Sequence, residues 1–224
     1  MLAQQRNPTM IDIPAALKLA GMLGGILATL VVLTATLAYI PNNPDFSPFR
    51  TYLSDIGDTP GWPQIVFHAG TLVAAPVRFL VLVLVALRLS QYGARRNFVA
   101  AALIIGFLAT FGTILMTAVP FSVGPAVHKL GIVFYFLGVV FLQAVVFVQE
   151  WSLKGIPKIL PSLSLLLVVL YLAFFALVQL YMGGVVSRTA PVIWEWMCII
   201  ASIVWVFVQS IVLGTSTGQG PLQS

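Results

Sequence analysis

LAGMLGGILATLVVLTATLAYI, which occupies residues 19–40, is a run of 22 residues without one charged side chain. An α-helix rises 1.5 Å per residue, so a run of this length spans the ~30 Å hydrocarbon core of a bilayer. A helix also satisfies its own backbone hydrogen bonds, which lipid cannot do. The run therefore predicts a transmembrane helix.

Five more runs have the same character, at residues 64–89, 97–119, 126–149, 160–182 and 191–213. Over the 224 residues, 60% are hydrophobic and 8% are charged, and the mean hydropathy is +1.04. These values exclude a water-soluble domain. We predict an all-α polytopic membrane protein, with a single six-helix bundle at residues 1–213 and a disordered tail at residues 214–224.

The cations indicate the orientation of the bundle. Most lie on one side of the predicted spans: Arg6, Lys18, Arg88, Arg95, Arg96, Lys154 and Lys158. Cytosolic loops are enriched in Lys and Arg, so both termini are predicted to be cytosolic and residues 41–63, 120–125 and 183–190 to face the lumen or exterior. This distribution accounts for the net charge of +5. No basic patch with interleaved aromatic residues indicates a nucleic-acid partner.

The connection at residues 41–63 is the one long outer loop. It carries five prolines with Asn42, Asn43, Gly57 and Gly61, which is typical of turns rather than helices. We therefore expect an ordered but irregular segment.

The polar residues gather near one end of the predicted bundle. His68, His128 and Glu195 lie near the outer ends of the second, fourth and sixth spans, and Ser54 and Asp55 precede the second span. We expect these five side chains to converge at the outer rim.

Helical periodicity places the polar residues on inward faces. The four stripes are Gln64, His68, Thr71 and Arg78; Gly106, Thr110, Thr113 and Thr117; His128, Gly131, Tyr135 and Gly138; and Glu195, Cys198, Ser202, Trp205 and Gln209. Small and hydroxylated residues of this kind allow close helix approach and interhelical hydrogen bonds.

Arg78 lies deepest, ~15 Å below His68 at 1.5 Å per residue. A charge near the midplane costs at least ~2.5 kcal/mol, so it needs an anionic partner or a water-filled cavity. Glu195 is the candidate partner. Two interpretations stay open: a structural ion pair, or a site in which Arg78 and Glu195 bind a lipid head group.

The candidate catalytic residues are His68, His128, Ser54 and Asp55. Either histidine is suited to act as general base for acyl transfer, with Ser54 as nucleophile. Ser54 lacks the GxSxG elbow, however, and Ser-Asp before Gly is also typical of a turn or helix cap. The histidines, Asp55 and Glu195 are also suitable zinc ligands, but short-range ligand spacing is missing. We predict no metal and no other cofactor.

Several of these residues carry a family likeness. SDIG at Ser54–Gly57, His68 with APVRFL at Ala75–Leu80, His128, and Glu195-Trp196 resemble the Frag/DRAM/Sfk superfamily of six-span eukaryotic membrane proteins. The combination in the second span is most similar to the GPI-anchor lipid-remodelling factor and the N-terminal domain of its fungal relatives. Val77 departs from that pattern, in which Pro and Arg are adjacent.

The resemblance implies a protein of the secretory pathway, in the Golgi apparatus or endoplasmic reticulum, with a membrane lipid such as a GPI lipid as its partner. Whether it transfers an acyl chain or presents the lipid is left open. The alternative is a non-enzymatic regulator of autophagy or phospholipid asymmetry, in lysosomal or plasma membranes. A transporter is disfavoured because neither inverted repeats nor paired broken helices are visible.

Overall fold

The computed structural model describes residues 12–121 and 123–215. Within these ranges the chain forms seven α-helices and one 3₁₀ turn, and no strand. The helices are α1 (Ile13–Tyr39), α2 (Leu53–Asp58), α3 (Trp62–Gln91), α4 (Arg96–Ala118), α5 (Pro125–Ser152), α6 (Ile159–Met182) and α7 (Thr189–Thr215), and the 3₁₀ turn is Ile40–Asn42.

Six of these helices, all except α2, are long and apolar enough to cross a membrane. The six-span, all-α prediction is thereby confirmed. The second span extends beyond the predicted residues 64–89 because glycines delimit it. Gly61 precedes it with φ 102° and Gly93 follows it with φ 93°, a region of backbone conformation that side chains disfavour.

The six long helices form a ring in chain order. Each packs against the next, and α1 closes the ring by contacting both α3 and α7. The connections 40–61, 119–124 and 183–188 lie at one end, called the outer end below, and 92–95 and 153–158 lie at the inner end. Large apolar side chains such as Leu19, Phe107 and Phe141 face outward, as lipid requires.

The predicted inward stripes of α4, α5 and α7 contain buried residues, whereas every residue of the α3 stripe (Gln64, His68, Thr71 and Arg78) is only half-buried. Thr113, Thr117, Gly131, Tyr135, Cys198, Trp205 and Gln209 are buried. Aromatic and aliphatic residues of α5, α6 and α7 pack around them, with Tyr171 at the centre of the main cluster.

The outer loop contains a helix that its composition did not predict. Leu53–Asp58 forms α2, so the expectation of an irregular segment was wrong there. Asp55 Oδ2 accepts a hydrogen bond from the Tyr52 backbone N–H at 2.9 Å, which caps the first turn. Leu53 and Ile56 are fully buried against the bundle, and this burial stabilises the short helix.

The proposed boundary of the tail also shifts. Gly214 and Thr215 belong to α7 rather than to the tail. The rest of the predicted tail, residues 216–224, and the N-terminal residues 1–11 lie outside the described ranges.

Glycines bring α4 and α5 into close contact. A Cβ atom on Gly112 would lie 2.5 Å from the Tyr135 backbone nitrogen, and one on Gly131 would lie 2.6 Å from that of Met116. Backbone atoms of this kind cannot move without displacing a helix. Only glycine therefore fits at these two positions.

We predict that Gly131→Ala lowers the free energy of unfolding by about 1–3 kcal/mol, because the added methyl group overpacks a backbone contact. Thermal unfolding of the purified protein in detergent measures the effect. Gly183→Ala is the matched control, since the nearest atom to a Cβ there is 3.5 Å away. Equal behaviour of the two variants would contradict the close-contact argument.

The orientation of the bundle stays a prediction from the cations. In a Cys198→Ser background, a cysteine replacing the exposed Asp45 should react with impermeant maleimide from the lumen or exterior. A cysteine replacing the exposed Gln91 should react from the cytosol. Labelling in the opposite sense would invert the proposed topology.

Candidate functional site

The outer end holds two separate groups of polar side chains. One, called the clasp, joins α2 to the beginning of α7 and includes Ser54, Asp55, Arg188 and Glu195. The other, called the histidine pair, consists of His68 on α3 and His128 on α5. The clasp side chains are engaged in hydrogen bonds and an ion pair, whereas the histidine pair keeps an imidazole nitrogen available to a substrate.

Glu195 is the centre of the clasp. Its Oε2 accepts a hydrogen bond from the Leu53 backbone N–H at 2.5 Å, and it also accepts hydrogen bonds from the backbone and side chain of Ser54. The next residue, Trp196, donates its indole N–H to the Thr51 carbonyl at 2.9 Å. These bonds hold the start of α2 against α7.

Asp55 completes the clasp through an ion pair with Arg188, whose guanidinium lies 5.0 Å from the centre of the Tyr52 ring. Side-chain exposures of 48% for Arg188 and 36% for Asp55 limit this pair to about 0–1 kcal/mol. Burial, followed by the nearby Glu195 carboxylate, raises the pKa of Tyr52 above its ordinary value. Its phenol therefore stays protonated at neutral pH.

The histidine pair lies beside the clasp. His68 lies within electrostatic range of Asp58, at the end of α2, and of His128. His128 Nδ1 lies 3.0 Å from the Val119 carbonyl oxygen. A carbonyl only accepts, so Nδ1 carries the proton, and in the neutral ring Nε2 keeps a free lone pair. Nε2 is thus suited to accept a proton from a substrate hydroxyl.

Arg78 does not pair with Glu195, and the expected ion pair is absent. Its Nη2 donates instead to Thr113 Oγ1 on α4, at a long 3.4 Å. Its buried Nε has no hydrogen-bond partner among the described residues. All six carboxyl side chains of the chain lie within the described ranges, and none pairs with Arg78. Glu195 points toward α2, and this explains why it is unavailable.

The predicted site residues therefore divide. Ser54, Asp55 and Glu195 meet in the clasp, whereas His68 and His128 lie outside it, within electrostatic range of each other. Arg78 lies deeper, against α4. The five residues predicted at the outer rim do lie at the outer end, but the carboxylates and the histidines form distinct groups rather than one cluster.

A comparison with protein families decides the relationship. The family model described as Frag1/DRAM/Sfk1/Cwh43P N-terminal domain matches residues 15–212. The chain belongs to this family. Searches of curated proteins and of solved structures yield no match. The chain is thus an integral membrane protein of the Frag1/DRAM/Sfk1 family, as its residues at the outer end indicated.

In this family member, the described residues contain no group of three or more His, Cys, Asp or Glu side chains able to hold a metal ion. The division between clasp and histidine pair accounts for this, because Glu195 and Asp55 are turned toward α2 and Arg188. The zinc interpretation of His68, His128, Asp55 and Glu195 has no geometric support.

Sequence reasoning missed a buried carboxyl group near the inner end of the bundle. Glu150 on α5 is 0% exposed. It accepts a hydrogen bond from Ser164 Oγ of α6 at 3.0 Å and another from Gln209 Nε2 of α7 at 2.5 Å. Trp205 donates its indole N–H to Ser164 Oγ at 3.0 Å. Glu150 thus links three helices through directed hydrogen bonds.

One sequence signal pointed toward this network. Trp205 and Gln209 occupy the predicted inward stripe of α7, which must face some polar group. Glu150 ends an apolar run next to Trp151, a position typical of the water interface, and that placement concealed its burial.

Proposed function

We propose that the protein binds the anionic head group of an outer-leaflet lipid between α3, α4 and α5, with Arg78 as the anion ligand and the histidine pair above it. The resemblance to GPI-anchor remodelling factors makes a GPI lipid in the secretory pathway the proposed substrate. Golgi or endoplasmic reticulum is the corresponding compartment.

The observation that carries this proposal is the incomplete hydrogen bonding of Arg78. A guanidinium has five N–H donors. Here Arg78 makes one long hydrogen bond, to Thr113, and its Nε has no partner among the described residues. Removing such a group from water is costly unless an anion or water compensates it. A phosphate that accepts from Nε and Nη2 would supply the missing partner.

In this proposal the histidine pair supplies a general base to the site. Nε2 of His128 retains its lone pair while Nδ1 is fixed by the Val119 carbonyl, which is the arrangement of an oriented base. In an acyl transfer it would take the proton of the hydroxyl that attacks the acyl carbon of an ester or thioester donor, and would return that proton to the departing alkoxide or thiolate. Ser54 and Asp55 are engaged in the clasp, which argues against Ser54 as a nucleophile and against a catalytic role for Asp55.

The clasp itself supports a second candidate function, a non-enzymatic regulator. Ser54, Asp55 and Glu195 hold α2 in place, and they need no substrate to explain their positions. In that case the outer surface of α2 would serve a partner protein. The two candidates differ in whether the histidines matter.

Lipid analysis of GPI-anchored proteins in cells lacking this chain separates the two functions. Wild type should restore the normal anchor lipids, and His68→Ala and His128→Ala should fail to do so at normal abundance. Gln64→Ala is the control, because Gln64 is half-buried on the same face of α3 one turn away. Normal anchor lipids in the null cells, or full rescue by both histidine variants, would refute the remodelling proposal.

A further inference from the structure

A groove at the inner end lies between the end of α3 and the first two turns of α4. Its volume is about 510 Å³, within the ~300–1,000 Å³ of typical ligand sites. Its lining consists of Ser90, Ala94, Arg96, Val99, Ala100 and Leu103. The spacing of the last four places them on one face of α4. The groove is remote from the histidine pair and from Arg78.

The groove runs from a polar mouth to an apolar floor. Arg96 is the first residue of α4, and Leu103 lies ~10 Å further along the helix at 1.5 Å per residue. In a bilayer the helix end lies at head-group depth and Leu103 at acyl-chain depth. This polarity gradient matches an amphiphile rather than a water-soluble ligand.

The mouth carries positive charge without compensation. Arg95 and Arg96 are exposed, the first turn of α4 has no acidic residue, and neither arginine pairs with any of the six carboxyl groups. Lys154 and Lys158 lie in the other inner connection and do not line the groove. An anionic lipid is therefore favoured, by about fivefold for each cation near its head group.

We propose that this groove binds an anionic glycerophospholipid of the leaflet at the inner end. Its head group lies at Arg96, with Arg95 adding charge at the same helix end, and one acyl chain lies along Val99 and Leu103. This site is independent of the proposed outer-leaflet site and of any chemistry there. The fraction of protein molecules with a lipid in this groove then depends on the anionic lipid content of that leaflet.

The test uses the full-length chain purified in detergent and titrated with phosphatidylglycerol and phosphatidylcholine of identical acyl chains, with bound lipid counted by native mass spectrometry. Wild type should prefer phosphatidylglycerol. The double variant Arg95→Gln/Arg96→Gln should lose about 30-fold in phosphatidylglycerol affinity, fivefold for each cation multiplied. Lys154→Gln/Lys158→Gln removes the same charge at the same end and should change affinity by less than about threefold.

A second variant tests the contribution of the groove itself, independently of the positive charge. Ala100 is exposed, so Ala100→Trp fills the groove while both arginines and the packed interior remain. It should lower phosphatidylglycerol binding at least ~10-fold, as expected for displaced apolar contact. Equal binding of the two lipids, equal losses in the two double variants, or undiminished binding by Ala100→Trp would each overturn the proposal. A dimer of the wild type that Ala100→Trp abolishes would assign the groove to a second copy and also overturn it.

Discussion

Arg78→Met should make the lipid-free protein more resistant to thermal unfolding and at the same time remove its binding of an outer-leaflet anionic lipid. Methionine fills a similar volume without a charge. The Nε of Arg78 has no partner among the described residues, and a charged side chain near the bilayer centre costs at least ~2.5 kcal/mol on insertion-based scales. Methionine removes this cost. It also removes a charge-assisted hydrogen bond to the ligand, which corresponds to roughly a 10- to 150-fold loss of affinity.

Thermal unfolding in detergent and titration with a GPI lipid measure the two effects on one preparation. Arg88→Met is the matched control on the same helix. Arg88 is buried and donates from Nε to the Leu213 carbonyl at 3.1 Å, so its replacement should destabilise the bundle and spare outer-leaflet binding. A destabilised Arg78→Met protein with unchanged lipid affinity would mean that Arg78 is structural.

Glu150→Ala should lower the free energy of unfolding by about 2–5 kcal/mol. The substitution leaves the donors of Ser164 and Gln209 without an acceptor in a site that excludes water, at about 1–3 kcal/mol for each group. It also removes packed atoms between α5, α6 and α7. The measurement is the unfolding midpoint of the purified protein in detergent.

Glu150→Gln is the control for this effect. A glutamine oxygen still accepts from Ser164. The Gln209 amide, which now donates from Nε2 to Glu150, can flip so that its Oε1 accepts from the new N–H₂. We expect the free energy of unfolding of Glu150→Gln to lie within about 1 kcal/mol of that of wild type. If the alanine variant is as stable as the glutamine variant, the network contributes nothing to holding the three helices.

The spans were predictable because length and apolar composition decide membrane insertion before any tertiary contact forms. The buried stripes of α4, α5 and α7 were equally predictable, since helical periodicity fixes which residues share a face. The short α2 was not, because its stability comes from burial of Leu53 and Ile56 against other helices. Proline and glycine content describes local preference and contains no information about such contacts.

The pairing of polar side chains also depends on information that periodicity lacks. Glu195 and Arg78 both face the interior, and the sequence therefore suggested an ion pair. Which partner Glu195 binds depends on the rotation of α3 and α7 about their axes and on the backbone of α2. The Leu53 N–H of α2 donates a hydrogen bond to Glu195. Arg78 then reaches α4 instead, a choice that no spacing within one helix encodes.

The contact between α1 and α7 can form only after α7 has been synthesised. A Cβ on Gly21 would lie 1.6 Å from Ser210 Oγ, and one on Gly25 would lie 2.5 Å from the Phe207 ring, so these glycines form the surface that receives α7. The ribosome delivers α7 roughly 10–40 s after α1 at ~5–20 residues per second. During that interval the glycine surface of α1 is covered by lipid or by the insertion machinery. A chain truncated before α7 would leave this glycine surface without the helix that it packs against.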